Sequence, residues 1–345
     1  MISPFDERIG AKKRAKWMIM QADQARVWLL IDDRAGNKSQ VLGVARALGL
    51  KFEIKDIRYT IAAELPNYML MASFSMLTQS SRVNLMAPWP DIVIAAGRRT
   101  APVARRIKEQ AKGKTFLAQI MYPGSSGEDD FSLIAIPKHD EVPPADNRFE
   151  MIGAPHCVTT EVLAEARILW KGKFDTLPKP HVALIVGGDT KRKKFTPQMA
   201  RELGERAAAL AGGVGGSLLI TTSRRSTPEA TEALLDAIGD TPAHVFKWGD
   251  SGDNPYMAYL AYADHVIVTG DSVSMCSEAC ATGRPVYIFA PKKMTAHKHA
   301  KLHQDLYALG YAKPLEDAEA LTEWSHEPLN AANAIAQEIK RRLGL

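Results

Sequence analysis

From residue 25 onward, short apolar runs alternate with longer amphipathic stretches, a rhythm that few folds accommodate. "VWLLID" (27–32), "KFEIKDI" (51–57), "DIVIAAG" (91–97), "TFLAQIMY" (115–122) and "SLIAIP" (132–137) are β-branched or continuously apolar and end in turn residues, which reads as strands. Between them, "SQVLGVARALG" (39–49) and "TAPVARRIKEQAKG" (100–113) have helical period, the second with Pro102 near its first turn and Gly113 at its stop. Strands that are apolar nearly throughout are buried on both faces. Alternating βα units of this kind therefore predict a parallel sheet with helices on each side.

The rhythm breaks over "PKHDEVPPADNRFEMIGAPH" (137–156), which holds four prolines without helical period and reads as a hinge. An amphipathic helix, "VTTEVLAEARILWKGKF" (158–174), follows. Alternation then resumes with strands "HVALIVGG" (181–188), "SLLITTS" (217–223), "HVFKWG" (244–249), "HVIVTG" (265–270) and "PVYIFA" (285–290). The expected fold is α/β, with two Rossmann-like, doubly wound parallel-sheet domains, a division that suits 345 residues. The expected boundaries are a disordered basic leader at 1–24, domains at 25–156 and 157–327, and a terminal helix over 328–345 that packs back across the hinge.

Composition narrows the partners. A net charge of +5 favours an anionic ligand or surface but is too dilute for a dedicated nucleic-acid binder. Three cysteines, Cys157, Cys276 and Cys280, have no metal-ligand spacing and are too few for a disulfide framework, which points to a reducing, cytoplasmic compartment. No apolar run reaches the length of a membrane span. The cluster "AKKRAK" (11–16) is either a frayed leader or an electrostatic tether that holds the protein peripherally on an acidic membrane.

In an open parallel sheet, ligands bind where the strands end, so the residues just after each strand carry the information. In the second domain they include Gly187, Gly188, Asp189 and Lys191, then Arg224 and Arg225, Trp248, Thr269 to Ser274, and Lys292. Glycines permit close approach, hydroxyls bond anionic oxygens, and arginine forks suit phosphate. After "HVIVTG", the segment "DSVSMCSEACATG" forms a helix whose first turn carries Ser272 and Ser274, where free N–H groups and the helix dipole attract phosphate. Glu278 follows Ser274 by four residues, on nearly the same face and about 6 Å along the axis, where it would meet a ribose diol. The structural alternative is that a serine simply caps the helix and Glu278 solvates it.

These residues resemble known proteins. "GDSVSMCSEACATGRPV", preceded by "NPYMAYLAYADHVIVT", looks like the donor-nucleotide motif of GT-B glycosyltransferases. "IDDRAGNKSQVLGVARALG", "PDIVIAAGRRTAPVAR", "IPKHDEV", "GAPH", "GGDTKRKKF", "TTSRR" and "GDNPYMAYLAYAD" together resemble the mitochondrial-fission ELM1-like family of bacteria and plants, in ordered blocks from about residue 27 to 310. The resemblance implies two GT-B-like domains facing a cleft, acceptor side first and nucleotide side second, with no tightly bound cofactor and a nucleotide-diphosphate sugar as substrate. Ser272 and Ser274 would hold the diphosphate, Glu278 the ribose, and Gly188 with Arg224 the phosphate or its approach, while Trp248 would border the base. Arg34, Asn37, Gly97 and Arg98 would face an anionic or lipid-linked acceptor. GT-B enzymes commonly place a His after the first strand; here stand Asp32 and Asp33, so Asp33 is the candidate base, or else a partner for Arg34 or the next helix. Arg224, Lys191 and Lys292 are candidate stabilisers of the leaving diphosphate. The same resemblance implies an alternative, a non-catalytic scaffold that acts in membrane fission by recruiting a dynamin-type partner.

Other patterns are set aside. A short-chain, NAD-dependent epimerase needs a glycine-rich turn after the first strand and a Tyr-x-x-x-Lys pair, and the chain has neither. "GKT" (113–115) lacks the upstream glycine of a phosphate-binding loop. His297, His299 and His303 sit among lysines that oppose a metal, and Cys276 with Cys280 reads as buried small residues. Arg105, Arg106, Lys108 and Lys112 read as a solvated helix face or a contact for acidic lipid.

Overall fold

A computed structural model describes residues 25–345, so the basic leader lies outside the described residues. Residues 25–157 together with Asn330–Leu345 form one compact unit, and Val158–Leu329 form the other.

The first unit runs β1 (Val27–Ile31), α1 (Ala35–Leu48), β2 (Phe52–Asp56), the short α2 (Asn67–Leu70) and α3 (Gln79–Val83), β3 (Ile92–Ala96), α4 (Ala101–Gln110), β4 (Phe116–Ile120), β5 (Leu133–Pro137) and β6 (Arg148–Met151). Its strands form a six-stranded, wholly parallel sheet in the order β2-β1-β3-β4-β5-β6. In β1, Val27, Leu29 and Ile31 join one core with α1, whereas Trp28 and Leu30 join the other with Val103 and Ile107 of α4. Both faces are buried, which is why the strand reads as continuously apolar. Gly49 ends α1 at φ 75°, in the left-handed region, with its N–H on the Arg46 carbonyl.

The proline-rich stretch read as a hinge is not a linker: Arg148–Met151 pairs with β5 inside the first unit. This edge strand is short and three of its four residues keep some exposure, so it lacks the apolar signature of its neighbours.

The second unit contains α5 (Thr160–Leu169), β7 (His181–Ile185), α6 (Pro197–Gly212), β8 (Ser217–Thr221), α7 (Pro228–Ala237), β9 (Ala243–Phe246), α8 (Tyr256–Tyr262), β10 (His265–Thr269), α9 (Val273–Cys280), β11 (Val286–Phe289), α10 (His297–Ala308) and β12 (Lys313–Pro314). Its parallel sheet has the order β12-β11-β10-β7-β8-β9. Both units are thus doubly wound α/β sheets, as the sequence predicts.

The last helix, α11 (Ala331–Leu343), belongs to the first unit. Ala332, Ile335, Ala336, Ile339 and Leu343 form one helical stripe buried in the same core as β1 and α1. In the crowded interior beneath, a Cβ on Gly43 of α1 would lie 2.2 Å from the His156 carbonyl oxygen.

Candidate functional site

Because all strands of the second sheet run parallel, their carboxyl ends share one edge, and Asp271 lies at its centre. Asp271 is 3% exposed. Its Oδ2 accepts the Gly188 N–H at 3.1 Å and pairs with Arg225 Nη1 at 2.6 Å. The same guanidinium donates to the carbonyls of Gly188 and Asp189. Thr269 Oγ1 accepts the Gly187 N–H at 2.7 Å, and Ser226 Oγ donates to the Gly187 carbonyl. The turn after β7 is therefore clamped from β8 and β10. A Cβ on Gly187 would sit 2.2 Å from Asp271 Oδ1, and one on Gly188 would sit 2.1 Å from the Arg225 carbonyl oxygen. The glycines admit these protein neighbours, which gives Gly188 a structural duty in addition to the phosphate approach expected of it.

At the start of α9, Ser272 Oγ accepts the Met275 N–H at 3.4 Å, so Ser272 is the helix cap. Ser274 in the first turn stays partly exposed, its hydroxyl without a hydrogen bond among the described residues. The N–H groups of this turn precede the helix's own ladder and point outward from its end. One turn on, the partly exposed Glu278 accepts a hydrogen bond from the Tyr256 hydroxyl at 2.5 Å. Desolvation pushes the Glu278 carboxyl up to about 7, against the opposing pull of the Tyr256 bond.

The flanking positions vary in their engagement. Trp248 is 59% exposed, and its backbone N–H donates to Thr222 Oγ1 at 2.8 Å. With Thr222, Ser226, Lys247 and Asp250 it borders a depression of about 640 Å³. Arg224 is exposed and makes no ion pair among the described residues; the anchored arginine is its neighbour Arg225. Lys191 and Lys292 are exposed as well. From α10, His299 contributes a ring whose buried Nδ1 has no partner. Burial lowers its pKa, with nearby Asp271 opposing, and that holds the ring neutral at neutral pH. Sequence reasoning gives Tyr256 no role, since it does not follow a strand directly, and sets His299 aside because of the lysines around it.

The first unit carries a second constellation. Asp32, just after β1, is 7% exposed. It accepts the Arg34 N–H at 3.1 Å, Asn37 Nδ2 at 3.1 Å and Arg99 Nη2 at 2.9 Å. Asp33 is exposed and also pairs with Arg99, not with Arg34 or the helix. Gly97, at φ 80°, leaves room for Asn37, whose Nδ2 would lie 3.0 Å from an added Cβ. Arg98 is turned away from this cluster, clamping the carbonyls of Leu65 and Ala63 and the Asn67 side chain. Asp33, Asn37 and Gly97 are thus brought together around Asp32, while Arg99 takes the place expected of Arg98.

On α4, Arg105 pairs with Asp130, Lys108 donates to the Asp130 carbonyl and Arg106 pairs with Glu109, so most of that basic face is engaged within the unit. Among the described residues no helix is long and apolar enough to cross a membrane.

Comparison with known proteins agrees with this architecture. The family described as "Mitochondrial fission ELM1" matches residues 35–343. The chain is 31% identical over 277 residues to "Mitochondrial fission protein ELM1" of Arabidopsis thaliana, covering 74% of this chain and 64% of that protein's length. It is 30% identical over 350 residues to "Uncharacterized protein RP120" of Rickettsia prowazekii (strain Madrid E), covering 91% of this chain and 97% of that protein. Among solved structures, UDP-GlcNAc 2-epimerase from Neisseria meningitidis bound to UDP-GlcNAc superposes with a TM-score of 0.52 at 13% identity, over 92% of this chain and 99% of that one. At such identity the likeness concerns the fold, which is GT-B-like.

Proposed function

The chain belongs to the mitochondrial fission ELM1 family, and from that premise we propose that it binds a nucleotide-diphosphate sugar on the carboxyl edge of its second sheet and acts as a glycosyltransferase. The observation that carries this reading is the pairing of an open helix start at Ser274 with Glu278 one turn further on, its carboxylate already oriented by Tyr256. The N–H groups and hydroxyl at Ser274 suit a diphosphate, and a carboxylate at the Glu278 position suits the two hydroxyls of a ribose. The exposed Trp248 offers a ring for a base. Arg224, Lys191 and Lys292 offer charge for a leaving diphosphate. Asp33, held by Arg99, is the proposed proton acceptor of the first unit. The protein of like fold from Neisseria meningitidis was solved with UDP-GlcNAc bound.

Calorimetric titration with UDP, GDP, ADP, CMP and UDP-N-acetylglucosamine tests the reading. Selective micromolar binding that is lost in Glu278→Ala supports it, and no binding across the panel removes it.

One observation favours the scaffold as a second reading. Ile61, Leu65, Tyr68, Met69 and Met71, within one short stretch, are all exposed, Ile61 at 87%. Such apolar exposure suits a docking surface for a dynamin-type partner or a peripheral membrane contact. Co-sedimentation with vesicles and with a purified dynamin-related protein, parent against Tyr68→Asp, checks it; the reading requires that the variant weaken one of the two.

A further inference from the structure

β2 is the outermost strand of the first sheet, with β1 on one side and no strand on the other. Just beyond it, Ile57 donates its N–H to the Ile31 carbonyl. Backbone groups alternate in direction along a strand, so Lys55, Glu53 and Lys51 also turn theirs toward β1, while Phe52 and Ile54 turn theirs to the open edge. The side chains of Phe52 and Ile54 register with Val27 and Leu29, on the face that α1 and α11 bury, yet they are 38% and 45% exposed. An unpaired edge that is apolar on one face is a template for another strand. Only part of it is open. Ser81 of α3 donates its hydroxyl to the Asp56 carbonyl at 3.3 Å and accepts the Arg58 N–H at 2.8 Å, which closes the edge from Asp56 onward. Gly49 ends α1 on the other side, so the open stretch runs from Leu50 to Ile54.

We propose that this stretch pairs with its own copy in a second chain, antiparallel about a two-fold axis at Phe52, and so joins the first sheets of two chains into one.

Charge selects the partner and fixes the register. Residues opposite each other in an antiparallel pair point to the same face, so a two-fold axis normal to the sheet passes between a residue and its own copy. At Lys51 or Lys55 it would set lysine against lysine. At Glu53 it would set Glu53 against Glu53 and Lys51 against Lys55. At Ile54 it would lay Phe52 on Asp56, where Ser81 already stands. At Phe52 every pair agrees: Phe52 meets Phe52 and Leu50 meets Ile54 on the apolar face, and Lys51 meets Glu53 on the other. Lys51 is exposed and makes no ion pair among the described residues, and Glu53 is exposed with a bond to Lys55 at 2.6 Å. The outward backbone groups of Phe52 and Ile54 then gain partners. A lysine on an open edge repels most strands, and here only a strand with a glutamate in register neutralises it. The contact closes at two chains, because each copy uses up its edge. The inference concerns the first unit alone and goes beyond the proposed function, since neither nucleotide nor membrane takes part in it.

Sedimentation velocity on the full chain, from about 1 to 100 μM, tests the pairing, and a dimer is expected to form within that range. Lys51→Glu and Glu53→Lys should each weaken it about tenfold, because each sets like charges against each other on both sides of the axis. An equimolar mixture of the two variants should associate more tightly than either alone, since opposite charges face each other again. Phe52→Cys under mild oxidation should give a covalent dimer on a non-reducing gel that the parent does not give, because Cα atoms of a hydrogen-bonded antiparallel pair lie about 5.5 Å apart, within disulfide reach. Thermal melts establish that the variants fold. The inference is overturned if the full chain stays monomeric throughout the range, as it would if β2 served a different protein. It is also overturned if the three variants leave the dimer unchanged and unlinked, or if the mixture is no tighter than its components. A dimer lost in Tyr68→Asp and kept in Lys51→Glu overturns it as well, because that contact belongs to the exposed stretch from Ile61 to Met71.

Discussion

Substituting Glu278 by Gln should change how the stability of the protein depends on pH. In the unfolded chain this carboxyl titrates near its ordinary 4.5, and in the folded protein desolvation moves it to about 7. Between these values the folded state holds a proton that the unfolded state has lost, so stability declines as pH rises from the lower value to the higher and then levels off. The difference corresponds to about 3 kcal/mol at full ionisation. Partial solvent access of the side chain reduces it to about 2 kcal/mol. Glu278→Gln keeps an acceptor for Tyr256 and removes the titration. Urea unfolding should therefore find the variant close to the parent near about pH 4 and more stable by about 2 kcal/mol near about pH 8. A difference between the proteins that stays constant over that range refutes the burial argument. The same logic reaches ligand binding: a ribose diol donates to the ionised carboxylate and favours it. Nucleotide binding near pH 7 should then release a proton, seen as a dependence of the calorimetric heat on the ionisation enthalpy of the buffer.

Gly188→Ala forces a Cβ against the Arg225 carbonyl and so displaces the β7 turn or the β8 loop. Its expected cost is about 1–3 kcal/mol, with weaker nucleotide affinity; an unchanged melting temperature would contradict the close approach described. In the first unit, Ile339→Ala on α11 removes a fully buried side chain and should destabilise by about 2–5 kcal/mol in urea unfolding. A loss below about 0.5 kcal/mol would mean that α11 does not complete that core.

Strands buried on both faces were legible because their function in the core requires an unbroken apolar run: β1, β3, β4 and β5 in the first unit, and β7, β8, β10 and β11 in the second. Lys313–Pro314 is only two residues long, and in β6 the charged Arg148 and Glu150 alternate with Phe149 and Met151, so neither strand shows an unbroken apolar run. The crossing from β2 to β3 was unreadable because exposed Ile61, Tyr68 and Met69 interrupt any amphipathic period. At the sites, parallel topology made the strand-end positions predictable, and the positions just after β1 and β10 do hold the buried Asp32 and Asp271. The choice of arginine was not predictable. Both "GRRT" and "TSRR" offer two adjacent arginines on a turn, and in each the second one pairs with the buried aspartate. Residue type is identical at the two positions, so only the direction of the turn in three dimensions separates Arg98 from Arg99 and Arg224 from Arg225.

The return of α11 to the first unit has a consequence for biosynthesis. The second unit is continuous in the chain, whereas the first is interrupted by the 172 residues from Val158 to Leu329. A ribosome translating about 5–20 residues per second needs about 10–30 s to cross that interval. Throughout it, the nascent first sheet presents to chaperones the apolar face that Ile335 and Ile339 later cover. The second unit is able to finish first, and the order of maturation along the chain is inverted.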